Sequence, residues 1–189
     1  MIQSKSDLKK YLKYEASKYG LKKASKGFVL GGAGRGAKLL FRYNWLLRKT
    51  EYFLNTNKKL RYTIYKLRLK RYSFRTGIHI PPNCFDIGLK IMHLGPILVN
   101  GNCKVGKDCS IHIMTSLVAT NDKEAAPKLG DGVIIGVGSV LIGDIFINNN
   151  IVVGANSTVT KSFEEENIAI AGSPAVKISN NGRLNWSKK

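Results

Sequence analysis

Residues 97–163 read ILVNGNCKVGKDCSIHIMTSLVATNDKEAAPKLGDGVIIGVGSVLIGDIFINNNIVVGANSTVTKSF, and a step of six runs through them. Counting in sixes from Val99 gives Val105, Ile111, Leu117, Lys123, Leu129, Ile135, Leu141, Ile147, Val153 and Val159. Ten of these eleven slots are aliphatic, although only 22 of the 64 residues in 97–160 are Val, Ile or Leu, so composition does not produce the register. Four residues after a slot stands a small or aliphatic residue, as at Cys103, Cys109, Thr115, Ser139 and Ser157. Directly after a slot come Gly106, Gly130, Gly136, Gly154, Asn100 and Asn148, types that tolerate the positive φ of a tight corner. A period of six is neither a helical 3.6 nor a plain alternation. It fits short strands joined by corners and stacked coil on coil, each coil burying its interior against the next. The expected fold is mainly β: a left-handed parallel β-helix with a basic α-helical N-terminal segment.

The chain has 189 residues, and its charge is unevenly spread. Residues 1–80 hold 21 Lys and Arg against 3 Asp and Glu, a net of +18; residues 81–189 hold 10 and 9, a net of +1. The break falls at Ile80-Pro81-Pro82, where paired prolines end any helix. The expected division is a basic helical region over 1–77, a β-helix over 78–178 and a polar, frayed tail over 179–189. Three helices are expected in the first region. Over 5–19, Leu8, Leu12, Glu15 and Tyr19 share a face, with Ser6 as N-cap and Gly20 as stop. Over 37–55 the shared face is Leu39, Tyr43, Leu46, Thr50 and Phe53; over 58–75 it is Leu60, Ile64, Leu67 and Phe74. Between the first two lies Gly31-Gly32-Ala33-Gly34-Arg35-Gly36, read as a turn because no Lys-Ser/Thr and no βαβ unit accompany it.

No apolar run is long enough to span a bilayer and no leader pattern opens the chain, so a cytoplasmic protein is expected. Cys103 and Cys109 sit on equivalent inward positions and read as core filling, and no metal site is expected. The polar run 119–127 interrupts the wall; Leu117 to Leu129 is twelve residues, so the register survives while one hexad leaves the wall as a loop. After Val159 the repeat decays. Phe163 and the acids 164–166 close it, and Ala171-Gly172-Ser173-Pro174-Ala175 reads as an extended exit.

Of His79, His93 and His112, His93 stands out beside Gly95-Pro96. Its number falls in the inward phase of the ladder. Either the phase slips at that break and His93 faces a cleft, or the imidazole is buried with a backbone partner. Lysine-rich helices leave three readings open: solvated faces, contact with anionic lipid at the inner membrane surface, or nucleic-acid docking, for which no recognised motif is present.

The stretches GLKIMHLGPILVNGNCKVGKDCSIH, PKLGDGVIIGVGSVLIGDI, IVVGANSTVT and IAGSPAVKI resemble, in order, the hexapeptide-repeat acyltransferases of the serine acetyltransferase branch. The basic lead-in resembles the short members found with surface-polysaccharide biosynthesis. The resemblance implies acetyl-CoA as co-substrate and His93 as the general base that deprotonates an acceptor hydroxyl. It implies a trimer or dimer of trimers, with the pantetheine arm held at Ala119, Gly136, Val137, Gly154 and Ala155. Lys161 and Lys177 are assigned by charge to the nucleotide phosphates. Three family positions depart. Met92 replaces the acid before the histidine, Ile78 the acid at the start of the first coil, and Ala126 the second active-site histidine. Asp86 is the nearest acid that could orient His93, and His112 is a candidate for the acceptor site. These departures point to a sugar hydroxyl as acceptor, with L-serine as the alternative.

Overall fold

The computed structural model describes residues 1–21, 34–120 and 124–186. The expected slot at Lys123 and the glycines at 31 and 32 lie outside the described residues. Three helices, α1 (Lys5–Lys18), α2 (Arg35–Asn55) and α3 (Lys59–Thr76), precede fourteen short strands and a final turn of helix, α4 (Arg183–Trp186). The fold is a left-handed parallel β-helix built on three sheets. One contains β1 (Ile78–His79), β3 (Ile97–Val99), β6 (Thr115–Val118), β9 (Val140–Ile142) and β12 (Thr158–Val159). The second contains β4 (Lys104–Val105), β7 (Lys128–Leu129) and β10 (Phe146–Ile147). The third contains β2 (Lys90–Ile91), β5 (Ser110–Ile111), β8 (Ile134–Ile135), β11 (Val152–Val153), β13 (Ala169–Gly172) and β14 (Ala175–Ser179).

Ladder residues Val99, Val105, Ile111, Leu117, Leu129, Ile135, Leu141, Ile147, Val153 and Val159 are all buried. Cys103 and Cys109 are buried free thiols among them, and burial pushes them up to about 11 and about 12. The glycines after the slots serve a different need from the one expected. None of Gly106, Gly130, Gly136 and Gly154 has positive φ. Each instead faces the coil above: a Cβ on Gly106 would lie 2.6 Å from the Gly130 carbonyl carbon, and one on Gly136 would lie 2.7 Å from the Val153 oxygen. Positive φ falls three residues after a slot, at Asp108, Met114, Gly132, Gly138, Asn150 and Asn156. Glycine is thus selected by close approach of two backbones, and the corner angle falls two positions later, on Asn, Asp or Gly at every such corner but the one at Met114.

The helices close the first coil. α1 begins at a capping box in which Ser4 accepts from the Asp7 N–H and Asp7 accepts from the Ser4 N–H, so Ser4 and not Ser6 is the cap. Gly20 ends the helix with φ 68°. α2 is buried on a broad face because α1, α3 and the first coil all pack on it; Leu39, expected on that face, is exposed. At its centre Arg48 is fully buried. It reaches Glu15 of α1 at 2.6 Å and Glu51 at 2.8 Å, and donates to the Phe85 and Asp86 carbonyls at 2.8 and 2.7 Å. Burial pulls its pKa down, but the two carboxylates outweigh burial and hold the proton more firmly than usual. Tyr19 and Asn44 add bonds to Ile91 and Leu89, at 2.8 and 2.9 Å. α3 turns Leu69, Ser73 and its tyrosines toward α2, opposite to the expected Leu60, Ile64, Leu67 and Phe74 face, which is exposed.

The far end also differs from expectation. Residues 171–175 form the turn of an antiparallel hairpin, β13 on β14, rather than an extended exit. Residues 179–186 are docked, not frayed. The Gly182 and Arg183 N–H groups donate to the Asn167 and Asn150 carbonyls at 2.7 and 2.9 Å, and the Arg183 guanidinium donates to the Asp108 carbonyl.

Candidate active site

Four stacked corners join the six-stranded sheet to the five-stranded one: 92–96, 112–114, 136–139 and 154–157. Up to the position level with Ile97, which is Thr115, then Ser139, then Ser157 on successive coils, the upper three corners take three residues and the lowest takes five. Register shows the difference. Ile91 pairs with Ile111, twenty residues on, whereas Val99 pairs with Leu117, eighteen on. Two extra residues therefore sit in the corner that carries His93. The ladder phase slips there, and His93 is exposed while Ile91 before it and Ile97 after it are buried.

His112 lies on the next corner with its ring centroid 5.8 Å from that of His93. Its Nδ1 is buried and has no hydrogen-bond partner among the described residues. Burial, and then the neighbouring His93, lower the pKa of His112, which favours a neutral ring. Above the pair on the same edge come Gly136 and Val137, then Gly154 and Ala155, the two small residues after the glycines being exposed. Ser139 and Ser157 both donate to the Gly154 carbonyl at 2.8 Å and brace the wall from within. His93, His112 and four of the residues assigned to the pantetheine arm are thus one column.

The remaining assignments fall elsewhere. Ala119 follows β6 at the far side of the five-stranded sheet, and Lys161 follows β12 on that same side, its ammonium 5.7 Å from the Phe163 ring. Lys177 is on β14, paired with Glu165 at 2.6 Å. Asp86 is at the opposite end of β2 from His93. There it accepts from the Tyr11 hydroxyl and, at 2.7 Å, from the Ile87 N–H, and it borders a separate hollow with Asn83 and Lys104. Burial works against its ionisation, yet those hydrogen bonds keep it below the ordinary carboxylate value. It does not orient His93. Ile78 is fully buried, so an acid there would point into the core; the outward residue of β1 is His79. Ala126 is likewise fully buried.

A cavity of about 430 Å³ opens beside His93, lined in part by Lys18, Tyr19, Ala37, Lys90 and Met92. No carboxylate lines it among the described residues. Nothing in the chain around His93 pointed to Lys18 or Ala37, which stand 75 and 56 residues before it on α1 and α2. Among the described residues no cluster of His, Cys, Asp and Glu could hold a metal ion.

No family model matches the chain. Serine acetyltransferase of Staphylococcus xylosus is 30% identical over 130 residues, 67% of this chain and 59% of the relative. That of Staphylococcus epidermidis is 29% identical over 130 residues, 67% and 60%. The chain therefore spans about three fifths of the curated relatives' length. Among solved structures, serine acetyltransferase of Neisseria gonorrhoeae superposes with a TM-score of 0.74 at 21% identity, over 93% of this chain and 68% of that one. A serine acetyltransferase in complex with CoA gives 0.69 at 23%, over 91% and 68%. In fold, from the helical lead-in through the β-helix, the chain is similar to the serine acetyltransferases.

Proposed function

We propose that this protein is an acetyl-CoA-dependent O-acetyltransferase with His93 as general base. The observation that carries the reading is the five-residue corner, which lifts the His93 imidazole out of a regular wall, beside His112 and at the foot of a column of small residues. A neutral His93 ring takes the proton of the acceptor hydroxyl as its oxygen attacks the thioester carbon. The tetrahedral intermediate collapses with loss of the CoA thiolate, which takes up the proton, leaving an acetyl ester. Backbone N–H groups of the wall serve the oxyanion. Gly136, Val137, Gly154 and Ala155 let the pantetheine arm lie close along the edge. A trimer would place a second wall against that column.

L-serine is the acceptor favoured by the Staphylococcus relatives named serine acetyltransferase, and one structural neighbour was solved in complex with serine. A sugar hydroxyl is the second reading. It is favoured by a specific observation: among the described residues, the cavity beside His93 offers lysines and no carboxylate to receive an ammonium group. Thiol release from acetyl-CoA, with L-serine and a panel of sugars and nucleotide sugars run in parallel, separates them. Turnover with serine establishes the first; turnover with a sugar alone establishes the second. The absence of both turnover and CoA binding in a titration would overturn the acetyltransferase reading.

A further inference from the structure

α3 presents its apolar stripe to solvent. Leu60 is 77% exposed, Ile64 41%, Leu67 61% and Phe74 70%. These positions recur at i, i+4, i+7 and i+14, so they fall on one line along a helix about 27 Å long. That line points directly away from α2, because the buried residues Leu69 and Ser73 lie on the opposite side. Arg61, Arg68 and Arg75 run along one flank of the stripe and Lys59, Lys66 and Lys70 along the other, with Arg71 within it; all seven are exposed. α3 contains no acid.

We propose that α3 is an in-plane anchor for an anionic phospholipid surface, with Leu60, Ile64, Leu67 and Phe74 inserted at headgroup depth and the flanking cations on lipid phosphates. An apolar face between two cationic rows matches a surface whose interior is apolar and whose rim is anionic. The long Lys and Arg side chains can lay their stems on the apolar boundary and keep their charges at the phosphates. The helix lies on the surface and does not cross it, since no described helix is long and apolar enough to span a membrane. A second copy of this helix is a poorer partner: face-to-face pairing would bring fourteen cations together with no acid on either helix, twice the seven on each. Nucleic acid would satisfy the charges and leave four large apolar side chains in water.

The test is co-sedimentation of the full chain with phosphatidylcholine vesicles, with and without phosphatidylglycerol. Wild-type protein is expected on the anionic vesicles only, with binding that falls as salt is raised. Leu60→Ser/Leu67→Ser/Phe74→Ser should weaken the partition coefficient roughly tenfold or more while leaving the melting temperature unchanged. As a direct readout, Leu67→Trp fluorescence above the wild-type background should be quenched by lipids brominated in the acyl chain. Failure of the wild type to sediment, equal binding by the triple serine variant, or absence of quenching would overturn the proposal. So would a change of oligomeric mass in the serine variant, which would make the stripe a joint between copies.

Discussion

Two additional residues at one corner separate His93 from the core, and the rest of the proposed chemistry depends on that displacement. His93→Ala should lower acetyl transfer by about 10²–10⁴-fold with the fold intact, measured as thiol release beside a thermal melt. His112 has a different signature. Its pKa lies below the ordinary histidine value of 6.5 because its ring is partly buried and faces His93. The folded protein therefore binds fewer protons than the unfolded chain below that pH, and stability is lost as pH falls through 6.5. Asp86 and Asp108 are held below 3.8, so their contribution is lost only in stronger acid. Melting temperatures of wild type and His112→Gln should converge as pH falls from 7.5 to about 5. A constant gap would mean that the ring does not titrate across that window. Gly106 tests the packing role of the corner glycines away from the proposed site. A Cβ there meets the Asp131 carboxylate first, and then the carbonyl carbon and oxygen of Gly130 at 2.6 and 2.7 Å, backbone atoms that cannot swing aside as the side chain can. Gly106→Ala should cost about 1–3 kcal/mol in denaturant unfolding.

At the scale of elements, the hexads describe each coil and Arg48 describes how the helices are fastened to them. Its guanidinium is shared by α1, α2 and the first coil, with Glu15 and Glu51 both buried around it. Removing the cation would leave two carboxylates without compensation in the interior. Arg48→Met should therefore destabilise by about 3–5 kcal/mol. Replacing Glu15 and Glu51 by apolar residues in the same variant should restore much of the loss, as followed by urea unfolding. Helical periodicity identified all three long helices within a few residues. It could not choose the inward side of α3, because that helix carries two ordered faces: an aliphatic line and a row of tyrosines. The tyrosines were selected because Tyr65 stacks on Phe53 and Trp45, with ring centroids 4.9 and 5.9 Å away, and Tyr72 donates to the Leu39 carbonyl at 3.1 Å.

Across the whole molecule the charge is divided as the fold is. The cations cluster on the helical end, while the prism is nearly neutral. One end of the β-helix is covered by α1 and α2; at the other the β13–β14 hairpin extends the six-stranded sheet, and the chain leading into α4 bonds to the Asn150 and Asn167 carbonyls. A chain beginning at Gly77 would expose the coil surface now held by Tyr19, Tyr43, Asn44 and Arg48. It should aggregate or lose its cooperative melt, read by size-exclusion chromatography and calorimetry. A monodisperse fragment with the parent melting temperature would show that the helices add no stability.

The sequence by itself determined the β-helix, because a repeat of six places an aliphatic residue in the core once per wall, and no other regular structure has that period. It also singled out His93, through Gly95-Pro96 beside it. It did not determine which acids and cations stand near that histidine. Asp86, seven residues away in the chain, is carried to another corner by β2, whereas Lys18, seventy-five residues away, borders the same cavity. Proximity in a coiled wall follows register and corner, not chain distance, so only the tertiary structure could bring His112, Gly136 and Gly154 onto the edge of His93 and send Asp86 and Ala119 elsewhere. The same holds for the face of α3: sequence shows that an apolar line exists, and only packing against α2 decides that it is left facing outward.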